Sequence, residues 1–492
     1  MNFNSLQYIL FLALNVLLYY ILPPKCRNYL LLLSSYYFYM CWNPKYALLM
    51  LLSTVITYAC GLLVSGKALG KRRLWLALSF VSNLSILFFF KYYNFASSLF
   101  TRLSGMLGLG ISAPLLDVLL PVGISFYTFQ ALGYTMDVYR GDVPAERNFA
   151  DYALFVSFFP QLVAGPIERS GNILHQLKEV HNFSFENIRA GVLPVLWGLF
   201  KKMVLADNLA VAVNTVYKSP GEHTGPQLIL ATGAFAIQIF CDFSAYSDIA
   251  RGSAKMLGFE LMENFRCPYL ATSIQDFWRR WHISLSSWFK DYLYFPLGGS
   301  RCGRWRRILN LLIVFGVSGL WHGAALTFIA WGLLNGLYQA VSILLRPLRN
   351  RVFKLLHVPQ KAWWLTALRV VITFSLTCLA WVLFRANSLT DAMAVYSSIF
   401  GWIARLPELG LSGLLSAGGG LGLGLRALCM LGVFSVGMLF ADWFICEKSL
   451  WERLNRGVAL RYCVYFFLIC AIIIFGSYGS GYDPQDFVYF QF

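Results

Sequence analysis

An all-α polytopic membrane protein is the fold class this sequence predicts, and three observations predict it. Of 492 residues, 58% are hydrophobic and only 13% are charged. Apolar runs recur along the whole length, near 6–22, 46–66, 74–90, 151–164, 190–205, 227–243, 308–320, 325–345, 365–385, 425–445 and 461–479. The positive charge gathers in short links between those runs. One crossing of the hydrocarbon core takes about 20 mostly apolar residues, so the longer runs read as spans. Several others are too short to cross alone, which predicts about ten to twelve transmembrane or re-entrant helices together with interfacial amphipathic ones. No soluble domain is visible at either end. The chain therefore reads as a single integral-membrane domain over 1–492 that ends in an aromatic tail at 480–492.

Taken in chain order, the first apolar run follows Met1–Gln7, which carries no Lys or Arg, so it reads as a retained helix rather than a signal peptide. Gly61–Ala68 mimics a phosphate-binding loop, but Ala68 stands where Ser or Thr is required and the segment ends a span. Basic clusters follow at Lys67, Lys71, Arg72 and Arg73, at Arg301–Arg307, and at Arg346–Lys354. They account for much of the net charge of +17. Lys and Arg concentrate in cytoplasmic loops beside anionic headgroups, so topology explains this charge without nucleic acid. The same basic face suits an anionic donor such as a nucleotide-bearing thioester or an acidic carrier protein. The glycine-rich stretch 418–424 follows no predicted strand and reads as a link or a place of close helix packing. Eleven cysteines are scattered without clustered Cys/His spacing, which supports neither a zinc site nor a disulfide framework. A secondary transporter would share the composition, but it should show paired halves with matching interrupted segments, and none is found.

Two histidines carry the chemical information. His322 lies in Ser318-Gly-Leu-Trp-His-Gly-Ala324, an apolar stretch where an ionisable ring needs either a hydrogen-bonded structural role or a function. His282 closes Phe277-Trp-Arg-Arg-Trp-His282, within the segment Ser273–Leu293. At about 100° per residue, that segment places Phe277, Trp281, Leu285, Trp288 and Tyr292 on one face, with Trp278 and Phe289 beside them. Arg279, Arg280, Ser284, Ser287, Lys290 and Asp291 fall on the other face. The pattern predicts one amphipathic helix lying flat at the membrane surface, with His282 at the margin of its aromatic face. Pro296-Leu-Gly-Gly299 should break it.

The run Phe277–Arg301, together with Gly319-Leu-Trp-His-Gly-Ala324, resembles the signature of the membrane-bound O-acyltransferase family, in its bacterial polysaccharide O-acetyltransferase branch. Pro121–Gln130, Phe158–Ile167, Cys241–Ile249 and Trp381–Ala386 fit the same family, with Ala245 where a Gly is usual. The resemblance implies a central tunnel. Through it an acyl group, usually acetyl, passes from a cytoplasmic thioester such as acetyl-CoA or an acyl carrier to a hydroxyl across the bacterial inner membrane. It also implies His322 as catalytic base with His282 as its partner on the donor side, no bound cofactor, and a hydrolase-like extracytoplasmic partner that completes transfer to a polysaccharide. Donor binding is then expected at Trp278, Arg279, Arg280 and Trp281. Imidazole suits the chemistry, since attack by an alcohol on a thioester needs a base near neutral pH and its pKa is near 6.5. Asp242, Ser244 and Asp248 are candidate supporting groups, or simply hydrogen bonds between helices. The related D-alanyl transfer to teichoic acid from an acidic carrier is the alternative within the enzyme class.

The tail Gly481–Phe492 is too apolar for a solvated end, and the last span is preceded but not followed by Arg, so the tail is expected outside the cytoplasm. Its ending resembles a Phe-x-Tyr-x-x-Phe motif of bacterial members of the family. That resemblance makes Tyr489 a candidate acyl relay, as against a side chain that only helps the tail to dock.

Overall fold

The computed structural model describes residues 1–66, 69–357, 359, 362–409, 420–448 and 457–478. Among these the secondary structure is helical throughout: α1 Leu6–Ile21, α2 Pro24–Met40, α3 Pro44–Val64, α4 Leu69–Leu87, α5 Tyr93–Met106, α6 Ile124–Arg140, α7 Phe149–Ser157, α8 Ser170–Gln176, α9 Phe185–Phe200, α10 Asp207–Lys218 and α11 Gly225–Met256. There follow α12 Ile274–Arg280, α13 Ile283–Phe289, α14 Arg304–His322, α15 Leu326–Leu355, α16 Trp363–Arg385 and α17 Leu389–Leu409, then helices Leu425–Lys448 and Val458–Phe475. Seven helices are long and apolar enough to cross a membrane among the described residues. Their outward faces carry exposed Leu, Val, Ile and Phe, as lipid contact requires. The chain is a multi-pass, all-α membrane protein.

Four of the eleven apolar runs are not long spans. Residues 6–22 form the 16-residue α1. Residues 151–164 hold no helix but the nine-residue α7, which ends at Ser157, because Pro160 cannot continue a helix and the following turn is buried in protein rather than lipid. The run 190–205 is interrupted by a π-helical turn at Lys201–Ala206, and 308–320 is the apolar part of an α14 that begins with Arg304, Arg306 and Arg307.

The chain divides into two compact units, Met1–Trp197 with Tyr246–Met262, and Gly198–Ala245 with Glu263–Phe492. In the first, Phe3 stacks on Tyr246 at 4.2 Å and lies tilted against Tyr8 at 4.3 Å, and the Tyr8 hydroxyl is 2.8 Å from Ser253 Oγ. The buried loop before α8 is held by Glu168, which accepts from the Met262 amide and from Asn172. Nearby, α9 and the end of α11 meet at Gly191 and Gly252, each within 2.5 Å of the other's carbonyl once a Cβ is added.

The second unit holds both histidines. Its π turn sets Lys201 and Lys202 side by side against α11. The Lys202 ammonium lies 2.7 Å from Asp242 and 2.9 Å from Asp207, all buried, and Lys201 donates to Ser244 at 2.7 Å. Asp242 and Ser244 are thus hydrogen bonds between elements. Helices α14 and α15 cross at backbone contact. A Cβ on Gly319 would sit 2.2 Å from the Phe328 carbonyl oxygen, and one on Gly332 would sit 2.2 Å from that of Phe315. Small residues permit such an approach where lipid supplies no hydrophobic drive. Gly332→Val should force the helices apart, lowering stability by about 1–3 kcal/mol as overpacking does. Thermal unfolding in detergent measures this, and an unchanged transition would show the crossing to be loose.

Candidate active site

Ser273 caps α12, its Oγ accepting from the Asp276 amide at 3.1 Å. The helix lasts only seven residues. Trp281 is extended, and His282 takes the left-handed conformation, φ 44° and ψ 55°, before α13 starts at Ile283. A π turn then covers Lys290–Tyr294, and turns at Phe295–Ser300 end the segment where Pro296 and the two glycines predict. The single interfacial helix expected over 273–293 is therefore corrected to two short helices with a break at His282. The segment before α12 explains the break: the Arg266 amide donates to the Arg280 carbonyl at 2.9 Å, and the Ile283 amide to the Asn264 carbonyl at 2.9 Å. These bonds occupy backbone groups that a continuous helix would have used.

The aromatic face also lies elsewhere than at the headgroups. Phe277, Trp278, Trp281, Leu285, Trp288 and Phe289 are buried. Trp281 packs 5.1 Å from Trp381 and 5.0 Å from Phe265, and Trp278 packs 5.7 Å from Trp331 and 5.3 Å from Phe315. Aromatic rings that meet in tilted and edge-on arrangements gain about 0.5–1.5 kcal/mol per pair beyond their area burial. Ser284, placed by periodicity on the polar face, is fully buried and donates to Asn264 at 2.9 Å.

His282 is itself buried, edge-on to Phe243 at 4.6 Å. It lies outside the long spanning helices, and burial pushes its pKa down to about 3. The ring is thus neutral. His322 ends α14 and is enclosed by Trp331 at 5.0 Å and Phe384 at 5.5 Å. Trp321 stands between the histidines, 6.1 Å from the first ring and 4.9 Å from the second. The two imidazoles, forty residues apart in sequence, share one aromatic enclosure.

A cavity of about 480 Å³ is lined mainly by α12, α13, the turns that follow them and α14; neither histidine lines it, but Ile283 next to His282 does. Trp278, Leu311, Val314 and Phe315 supply apolar surface, and Arg279, Lys290 and Arg307 supply positive charge. Ser318 also lines it and lies one helical turn, about 6 Å, before His322. Of the residues expected to bind a donor, Trp278 and Arg279 face this cavity. Arg280 instead pairs with Asp276 at 3.0 Å, and Trp281 is in the ring cluster. Asp248 is half-buried in the other compact unit. Tyr489 and the tail lie outside the described residues.

Sequence reasoning missed Asn335, Asn264 and Ser318. Asn335 accepts the Trp278 indole N–H at 3.2 Å and donates to the Trp331 carbonyl at 2.9 Å, fixing the orientation of a ring that lines the cavity and packs on Trp331. A polar amide in the apolar run of α15 was the available signal.

Residues 142–385 match the model of the membrane-bound O-acyltransferase family. Among curated proteins, a probable alginate O-acetylase of Pseudomonas syringae pv. tomato is 37% identical over 412 residues, covering 82% of this chain and 77% of the relative. A peptidoglycan O-acetyltransferase of Helicobacter pylori is 37% identical over 436 residues, covering 81% and 80%. A teichoic acid D-alanyltransferase of Bacillus subtilis is 26% identical over 274 residues, covering 54% and 68%. With relatives 37% identical along most of its length, and with two histidines packed on a shared tryptophan, the chain belongs to the membrane-bound O-acyltransferase family and is an acyltransferase.

Proposed function

We propose that the protein transfers an acetyl group from a cytoplasmic thioester to a hydroxyl of an extracytoplasmic polysaccharide, across a bacterial cytoplasmic membrane. The observation that carries this reading is the cavity. Its three cationic side chains suit the phosphates of coenzyme A or of a carrier-bound pantetheine arm, its apolar wall suits the arm itself, and Ser318 brings it within a turn of His322. The names of the more similar relatives favour acetyl over D-alanyl, and both acceptors in those names are cell-envelope polymers. An extracytoplasmic partner completes the transfer in this reading.

His322 acts as the base. A hydroxyl gives its proton to the imidazole as its oxygen attacks the thioester carbonyl, the carbon–sulfur bond breaks, and the thiolate leaves and recovers the proton from the imidazolium. Walls of Trp331, Phe384 and Trp321 keep water from intercepting the thioester. Tyr489 is the candidate intermediate hydroxyl. Its Tyr489→Phe variant would separate an acyl relay from docking.

The test is labelled acetyl transfer from acetyl-CoA by the protein in proteoliposomes, paired with mass spectrometry of cell-surface polymers with and without the protein. An unchanged acetyl content in every polymer would remove the reading. For the cavity, Arg279→Glu and Arg307→Glu should each raise the donor KM about tenfold or more, with a smaller effect on kcat. Arg346→Glu, the same charge change outside the cavity lining, should leave KM unaltered. Equal effects at all three positions would show that only the overall basic surface matters.

A further inference from the structure

We propose that Asn264 is a positioning residue that fixes the tautomer of His282, so that the ring carries its proton on Nδ1 and presents Nε2 as a hydrogen-bond acceptor. This rests on the reading that His282 takes part in acyl transfer. The Ser284 N–H, which can only donate, lies 3.2 Å from the Asn264 side chain, so the atom facing it is the oxygen Oδ1 and not the amide nitrogen. The single hydroxyl proton of Ser284 goes to the same oxygen, at 2.9 Å. His282 Nδ1 lies 3.2 Å from that oxygen and 3.4 Å from Ser284 Oγ, and toward Nδ1 each of these two atoms is an acceptor, its own protons absent or already used. Nδ1 must therefore carry a hydrogen. In a neutral ring the other nitrogen then holds a lone pair.

The local backbone makes the arrangement rigid. Asn264 also accepts the Ile283 amide through its own carbonyl at 2.9 Å, so the residue bridges the helix break with main chain and side chain together. Asn264, His282 and Ser284 are all buried. Asn264 and Phe265 before α12, Ser284 in α13, Phe243 in α11 and Trp321 in α14 are among the neighbours of the ring, and these five side chains are uncharged. An amide at 264 orients the imidazole without drawing it toward the cation, as a carboxylate at the same place would. His282 is thereby set to receive a hydrogen bond or a proton at Nε2. It does not donate from that atom in its resting state.

The test combines a spectrum with a pH profile. In ¹⁵N-histidine-labelled protein in detergent, the His282 ring, assigned by its loss in His282→Asn, should show the Nδ1–H tautomer; an Nε2–H signature would overturn the proposal without any Asn264 variant. In proteoliposomes, Asn264→Asp should add an ascending limb to the pH profile of kcat/KM between about pH 5 and 8, because the new carboxylate raises the ring's pKa and acid then removes the acceptor. Asn264→Ala should lower kcat without that limb and with donor KM unchanged. A wild-type profile in a folded Asn264→Asp protein would reject the positioning role. If His282→Ala turns over normally, the reading of His282 itself fails; if His282→Ala is inactive while Asn264→Asp behaves as wild type, only the inference about Asn264 fails.

Discussion

Replacing His322 by alanine is expected to lower acyl transfer by about 10²–10⁴-fold, the usual loss on removing a general base, while the protein remains folded and membrane-inserted. The enclosure around the ring gives the reason to expect survival of the fold. Trp331 stacks 5.8 Å from Trp381 and Phe328 meets Phe384 at 5.0 Å whether or not an imidazole lies among them. The cavity left behind would cost some stability, but the crossing of α14 on α15 is set by the glycines a turn away. Size-exclusion behaviour and thermal unfolding monitor the fold, and labelled acetyl transfer monitors the chemistry. A well-folded variant with near wild-type turnover would take His322 out of the mechanism and leave Trp331 and Phe384 enclosing a structural ring.

The second large effect is on stability. Lys202→Met should destabilise the second compact unit by about 3–5 kcal/mol, because it leaves Asp207 and Asp242 buried without the ammonium that lies 2.9 Å and 2.7 Å from them. The comparison that gives this number meaning is Arg280→Ala. Its pair with Asp276 is half-exposed and spaced i,i+4 on α12, so its loss should cost under about 1 kcal/mol. Neutralising the whole cluster in Lys202→Met, Asp207→Asn, Asp242→Asn should recover much of the loss, since apolar or neutral replacements of a buried set are often tolerated. Thermal unfolding of the three variants in detergent provides the comparison. Equal transitions in Lys202→Met and wild type would mean that water or lipid headgroups reach the carboxylates.

The seven long spans, and the position of His322 at the end of an apolar helix, were legible in the sequence for the same reason: hydropathy over a long window reports an environment, and an ionisable ring stands out against it. Residues 151–164 misled because apolar composition reports burial and not length. That segment is buried in protein, and Pro160 ends its helix early. The region 273–293 misled in another way. Its 100° periodicity continues through residue 282 without a Gly or Pro to mark a break, since the break is made by hydrogen bonds with the backbone of Asn264 and Arg266, more than a dozen residues upstream. Periodicity also could not tell aromatic residues facing a membrane surface from aromatic residues facing α15 and α16. Of the cationic residues, the Arg301–Arg307 cluster was visible as a cluster, yet which of its members lines a cavity depends on the angular position of Arg307 on α14, and that is a tertiary fact.

The left-handed backbone at His282 narrows what mutagenesis at this position reports. With φ at 44°, a β-branched side chain meets steric resistance before its chemistry matters, whereas Asn, Asp and Gly adopt this region readily. In a saturation library, inactive Val, Ile and Thr clones therefore say little about the imidazole. The informative clones are Asn and Gly: they keep the turn between α12 and α13 and remove only the ring, so the activity gap between them and the histidine parent isolates what the imidazole contributes. By the same logic, homologous chains that carry Asn here would preserve the same path of the main chain, and divergence at this site is constrained first by conformation and only then by catalysis.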